Sequence, residues 1–301
     1  MRDSVDWPTR DLVAHRAATT PERTAVVDAD RSEARPYREL DAAVDSVAAA
    51  FDSHCETADG RVAALVDTRP AVGELLDGAM RTGRTFAPLN VELAAETLRT
   101  HLDALGADLL VCERETASLA RTVADCPVVS VDEPGVEGVG TLDDRGDTAT
   151  PDVTPTELSR DDTALVLFTS GTTSEPKGVR LTMGNLIASA TASAFRLGVF
   201  PGDRWLVCLP TYHMGGLAPF VRCPLYGTAV VVQRAFEPSE TARILDDQDV
   251  TGVSLVPTMC KRLVEADWVP DDALRFVLLG GGPADPDLVE RCLTRAIPVC
   301  P

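Results

Sequence analysis

Short continuous apolar runs alternate with segments of helical periodicity along most of this chain, and that alternation restricts it to an α/β fold built on largely parallel sheet. Tyr37, Leu40, Val44, Val47 and Phe51 recur at steps of three and four, which is one face of a helix. Residues 61–66 then read as a buried strand, and Pro70 suits the first turn of a following helix that Gly83 closes. Strand-like 86–89, helical 92–105, strand-like 108–112, a helix near 115–124 and a strand over 128–131 continue the pattern. From 132 to 162 it fails. Ten carboxylates, two arginines and almost no large apolar residue there read as an exposed connector. Strands near 163–168, 204–208, 228–233, 252–256 and 274–279, with helices between them, resume the alternation. The expected organisation is an α/β lobe over 1–131, an acidic connector over 132–162 and a second α/β lobe over 163–301.

Composition narrows the partners. Lys+Arg 28 against Asp+Glu 47 leaves a net charge of −19 in 301 residues, which argues against a nucleic-acid backbone as ligand. Only two basic residues are lysines, Lys177 and Lys261. An acidic surface nearly free of lysine suits a salt-saturated cytoplasm, where screening makes carboxylate repulsion tolerable; an Arg-biased acidic mesophile is the alternative. No apolar run approaches a membrane span, and the first residues lack a basic and apolar leader, so a cytoplasmic protein is the expectation. Eight cysteines contain no C-x-x-C, and four histidines form no ligand cluster, so no metal ligand is assigned. Cys112 and Cys208 read as buried small hydrophobes.

One loop carries most of the chemistry. The apolar strand Ala164–Phe168 runs into Thr169-Ser170-Gly171-Thr172-Thr173-Ser174-Glu175-Pro176-Lys177-Gly178, then through Val179 to a helix starting near Thr182. Hydroxyls, glycines and one of the two lysines at the end of a buried strand make a cradle for polyphosphate: glycine admits the backbone, N–H and O–H groups bond to phosphate oxygens, and the lysine neutralises charge. The spacing is not that of a Walker A loop. An ordinary polar surface loop is the bland alternative.

Thr169 to Gly178 resembles the T-S-G-T-T-G-x-P-K-G signature of adenylate-forming enzymes, the superfamily of acyl-CoA synthetases, luciferases and peptide-synthetase adenylation domains, with Ser174 in place of a glycine. Tyr37–Leu40, Gly60–Ala63, Gly83–Asn90, Leu209–Leu217, Val253–Thr258 and Leu278–Pro283 extend the likeness to nearly the whole chain except the connector. The wording of 209–217, Arg222, Val253–Thr258 and Gly280–Ala284 is most similar to the 2-succinylbenzoate–CoA ligases of menaquinone synthesis. The resemblance implies the large N-terminal domain of an adenylate-forming enzyme, with βα-layered lobes, mostly parallel sheets and the small C-terminal domain absent. It implies an acid–thiol ligase that uses ATP, CoA and Mg²⁺ and passes through an acyl-adenylate.

Site roles follow from the same resemblance. Thr169, Ser170, Gly171, Thr172, Thr173 and Lys177 would hold phosphate, with Lys177 helping pyrophosphate leave. Gly280, Gly281, Gly282 and Pro283 would line the adenine. His213 would orient the reacting carboxylate, with Gly215, Gly216 and Thr258 beside the acid. Arg222 would hold a second carboxylate of the substrate, with an internal Asp or Glu as its alternative partner. A Tyr-Gly-x-Thr-Glu segment whose Glu binds Mg²⁺, a ribose-binding Asp and a catalytic Lys come later in the family than position 301. The alternatives are another acyl or aryl acid ligase, or an incomplete fragment that at most binds nucleotide. A homodimer, or a second polypeptide completing the site, stays open.

Overall fold

The strand-like runs find parallel neighbours in two sheets of seven strands each in the computed structural model, which describes residues 8–55, 57, 59–142, 151, 153–169 and 177–301. The described chain opens with α1 (Leu12–Thr19), β1 (Thr24–Asp28), β2 (Glu33–Pro36) and α2 (Tyr37–His54). There follow β3 (Arg61–Leu65), α3 (Ala71–Arg81), β4 (Thr85–Pro88), α4 (Ala95–Leu105), β5 (Leu109–Cys112), α5 (Ala117–Val123), β6 (Val128–Ser130) and β7 (Gly140–Thr141). The antiparallel pair β8 (Thr163–Thr169) and β9 (Lys177–Thr182) leads to α6 (Met183–Leu197) and β10 (Arg204–Val207). α7 (Met214–Tyr226), β11 (Ala229–Val232), α8 (Pro238–Asp247), β12 (Gly252–Leu255), α9 (Pro257–Glu265), β13 (Phe276–Leu279), α10 (Pro286–Thr294) and β14 (Val299–Cys300) complete it.

The chain divides into two units. The first holds residues 1–21, 38–67 and 71–188. Its sheet runs β7-β6-β5-β3-β4-β8-β9, parallel throughout except for the β8–β9 pair. Leu65, Phe86 and Leu110 are fully buried on its central strands, as a sheet covered on both faces requires. Glycine lets α3 press on α2: a Cβ at Gly78 would stand 2.5 Å from Val47 Cγ1. The same helix carries Arg81, whose five N–H groups are all used. They reach both oxygens of Asp11 (3.1 and 2.9 Å), Asp41 Oδ1 (2.5 Å), Asp45 Oδ1 (2.6 Å) and the Asp41 carbonyl (3.1 Å).

The second unit holds residues 22–37, 68–70 and 189–301. Its sheet runs β14-β13-β12-β10-β11-β1-β2, parallel except where β2 folds back on β1. β1 lies beside β11, with Val26 opposite Val230, although about two hundred residues separate them. Within this unit the buried Tyr37 hydroxyl donates to the Thr228 carbonyl at 2.7 Å.

Most of the strands expected from the sequence are present within a residue or two, and several elements were not anticipated. α1 and the β1–β2 pair precede the first helix read from periodicity. β9 replaces the loop expected after Lys177, because Lys177–Thr182 mixes polar and apolar residues on an edge where only one side needs partners. The division at 132–162 does not coincide with the two units: β8, β9 and the residues to 188 belong with the first, and 22–37 with the second. Nor is the connector exposed throughout. Val139, Leu142 and Leu158 are buried, β7 pairs with β6, and the Thr156 N–H donates to the Arg81 carbonyl at 2.8 Å.

Candidate active site

The second unit gathers most of the candidate residues at one edge of its sheet. From β10 the chain crosses to β11 on one side and then to β12 on the other, so β10 and β12 flank a topological switch point. Open parallel sheets bind ligands outside the carboxyl ends of strands at that crevice. His213 lies on the segment after β10, Thr258 on the turn after β12, and Gly280–Gly282 on the turn after β13.

The segment after β10 is held tightly. The His213 N–H donates to the Pro210 carbonyl at 3.2 Å, and the His213 carbonyl receives the N–H groups of Gly216 and Leu217 at 3.1 and 3.0 Å. His213 is thus the N-cap of α7, its exposed ring edge-on to Tyr212 at 4.7 Å. Gly216 makes the wrap possible, since a Cβ there would meet the carbonyl oxygens of Leu209 and Pro210, both at 2.4 Å. Gly215 is exposed beside it. The Thr68 hydroxyl donates to the Leu209 carbonyl at 3.2 Å, a support that the sequence did not signal.

The other two turns are open. Thr258 is exposed in the first turn of α9, behind Pro257. The Gly280 N–H donates to the Leu255 carbonyl at 3.1 Å, joining the turns after β12 and β13. Gly281 has φ +77°, and a Cβ at Gly280 or Gly282 would meet nothing within 4 Å. A flat ring stacking on this bare backbone would occupy the space that side chains leave free, and Pro283 is exposed beside it.

Arg222 is not with this group. It lies two turns into α7, its guanidinium 5.1 Å from the ring centroid of Trp205, the second residue of β10. Burial pulls its pKa below the ordinary arginine value. No carboxylate pairs with it among the described residues, so the internal Asp or Glu weighed as its partner is not found there. Lys261, the second lysine, is exposed and pairs with Glu265 at 3.8 Å, as a solvated face should.

The first unit carries the ends of the hydroxyl-rich loop. Thr169 closes β8 opposite Lys177, which opens β9, and both are exposed. The pairing brings the two ends of the loop together and sets the loop on a strand pair. Ser170, Gly171, Thr172 and Thr173, like Ser174, lie outside the described residues. One neighbour escaped the sequence reading. The ring of His101, on α4, stacks on Phe168 at 4.2 Å with an interplanar angle of 5°, just before Thr169. Burial lowers the His101 pKa, and its Nδ1 is buried without a hydrogen bond. A neutral imidazole thus buttresses the base of the loop, and a lone histidine at a helical position carries no mark of that in the sequence.

Comparison with known proteins identifies the family. The family model described as "AMP-binding enzyme" matches residues 13–300. The 2-succinylbenzoate–CoA ligase of Bacillus velezensis is 34% identical over 94% of this chain and 56% of its own length. That of Bacillus subtilis is 30% identical over 94% and 56%. The chain therefore spans little more than half the length of the curated relatives it matches. Among solved structures, the Bacillus subtilis o-succinylbenzoate CoA synthetase bound to its acyl-adenylate intermediate superposes with a TM-score of 0.85 at 29% identity, covering 96% of this chain and 57% of that one. The same enzyme with ATP and magnesium ion gives 0.83 at 29% identity, over 96% and 58%. The N-terminal domain of FACL13 from Mycobacterium tuberculosis, at 23% identity, shares the fold with a TM-score of 0.85. A family match that runs from α1 to β14 leaves neither sheet outside it, and on that ground the chain belongs to the AMP-binding enzymes.

Proposed function

We propose that this chain is the nucleotide- and acid-binding part of an ATP-dependent carboxylic acid–CoA ligase that converts 2-succinylbenzoate, ATP and CoA into 2-succinylbenzoyl-CoA, AMP and diphosphate. The observation that carries the reading is the grouping of His213, Thr258 and the glycine turn 280–282 at the switch point of one parallel sheet. The relatives' names supply the acid.

In this reading the bare backbone of Gly280–Gly282, with Pro283, takes the adenine face. Thr169, Ser170, Gly171, Thr172 and Thr173 donate to phosphate oxygens. Lys177 neutralises the charge that builds on the departing diphosphate. His213 holds the attacking carboxylate, Gly215 and Thr258 lie beside it, and Gly216 lets the segment turn tightly enough to present them. Arg222 follows His213 by nine positions, roughly 13 Å along α7. An arginine side chain and an acid with two separated carboxylates together bridge that distance. An unpaired guanidinium stacked on Trp205 suits the carboxylate that is not activated. Mg²⁺ bound with ATP would screen phosphate charge; none of the residues assigned here is a carboxylate that would hold it, and no step is routed through it.

The test is diphosphate release and thioester formation from ATP, CoA and a panel of acids, by the protein at the full length of its relatives, in molar KCl and in dilute salt. 2-Succinylbenzoate is the expected preferred acid, with activity rising in molar KCl. Lys177→Ala should abolish diphosphate release; unchanged turnover would remove Lys177 from the phosphate cradle. Preference for a medium-chain or simple aryl acid would keep the ligase and discard the substrate.

A further inference from the structure

Two buried thiols outside the candidate site touch each other. Cys260 on α9 and Cys292 on α10 have their Sγ atoms 3.5 Å apart, and neither is exposed to solvent. Both are free, as are the other six cysteines. Leu263, Val264, Leu288 and Ile297 belong to the same apolar cluster. Burial disfavours the Cys260 thiolate, whereas a disulfide buries no charge. A disulfide needs about 2.05 Å between sulfurs, so closure asks for roughly 1.5 Å of combined Sγ travel.

Access comes from α10. Most of its nine residues are exposed, and Leu293 shows 63% of its surface to solvent. A short helix at the rim of a unit opens locally more often than the sheet beneath it. Cys260 faces the core from the first turn of α9, and burial, then the adjoining Cys292, push its thiol above the ordinary value. Cys292 is therefore the sulfur that reaches an oxidant first.

We propose that Cys260 and Cys292 are a convertible dithiol, a site of covalent oxidation at which a low-molecular-weight disulfide links α9 to α10. The Cys292 thiolate attacks one sulfur of the small disulfide, forming a mixed disulfide and releasing one thiolate. When α10 recloses, the Cys260 thiolate attacks Cys292 Sγ and releases the second. The two cysteines lose two protons and two electrons, and the oxidant leaves as two thiols. The new bond ties the helix that begins at Pro257–Thr258 to the helix that follows the 280–283 turn.

The native, fully reduced chain would be incubated with excess cystamine, quenched in acid, alkylated under denaturing conditions and digested without reductant. A peptide cross-linked through Cys260 and Cys292 is expected, about 2 Da lighter than the two free-thiol peptides together, and released by dithiothreitol. Recovery of both residues as alkylated thiols would overturn the proposal. So would a lasting cystamine adduct on either residue, or a cross-link to a third cysteine. In Cys292→Ala, Cys260 should stay unmodified; a rapid adduct on Cys260 there would refute the order of attack.

Discussion

Replacing Arg81 by methionine isolates the strongest electrostatic feature of the first unit. The guanidinium is 1% exposed and spends all five N–H groups on Asp11, Asp41 and Asp45. Without it the three carboxylates fare differently. Asp41 and Asp45 keep 29% and 17% of their side-chain surface and can rehydrate, whereas Asp11 is wholly buried. Asp11 Oδ1 keeps the Ala14 N–H at 2.9 Å, so its other oxygen is left without a donor. Breaking a buried pair and leaving one charge uncompensated costs about 3–5 kcal/mol, against about 0–1 kcal/mol for a typical surface pair. Urea denaturation followed by circular dichroism, with hydrogen exchange on peptides spanning α1 and α3, reads the loss at constant ionic strength. Arg81→Met/Asp11→Asn should recover a substantial part, because asparagine still caps α1 without carrying charge. A loss below about 1 kcal/mol, or a double variant no more stable than Arg81→Met, would show that the network is not an ion-pair cluster of this kind.

Asp77, on the same helix, is buried with Oδ1 unpartnered, and burial followed by the Asp11 charge raises its pKa well above the usual carboxylate value. The unfolded chain then loses this proton first as pH rises, so stability falls from near pH 4 upward. Asp77→Asn should be more stable than the parent at pH 7.5 and lose that slope; equal urea midpoints at pH 5 and 7.5 would refute it. Gly216→Ala places a methyl group against two carbonyl oxygens, which costs roughly 1–3 kcal/mol and displaces the His213 turn. Thermal unfolding indistinguishable from the parent would show that the turn tolerates a side chain. Burial holds His101 below 6.5, so its contribution is present above that pH and is lost as pH falls through 6.5 towards its lowered folded value. His101→Phe keeps the stack on Phe168 and should lose less stability than the parent between pH 7.5 and 5.5; identical losses would count against the buried neutral imidazole.

Much of the candidate site was legible because its chemistry is local. The run Thr169–Lys177 offers the hydroxyls, glycine and lysine that suit a phosphate ligand, and glycines directly after an apolar strand announce a bare turn at 280–282. His213 was legible as a residue beyond a strand end, but its fixation was not: the Gly216 contact with the Leu209 and Pro210 carbonyls needs the helix to turn back over the strand. The Arg81–Asp11 pair spans 70 positions and leaves no trace in periodicity. His101 against Phe168 is equally silent, since one aromatic ring on a helix face marks any core contact.

The sequence by itself determined the α/β class, most of the strands and the bare glycine turn at 280–282, because hydrophobic period, glycine and proline act over a few residues. Only the tertiary structure decided that β1 and β2 complete a sheet whose other strands begin at 204, that β8 and β9 belong with the first unit, and that β11 and β12 lie on opposite sides of β10. The physical reason is that backbone hydrogen bonds between parallel strands are chemically the same whichever apolar strands are paired. Strand order is therefore set by long-range packing of the covering helices and by the connections between strands.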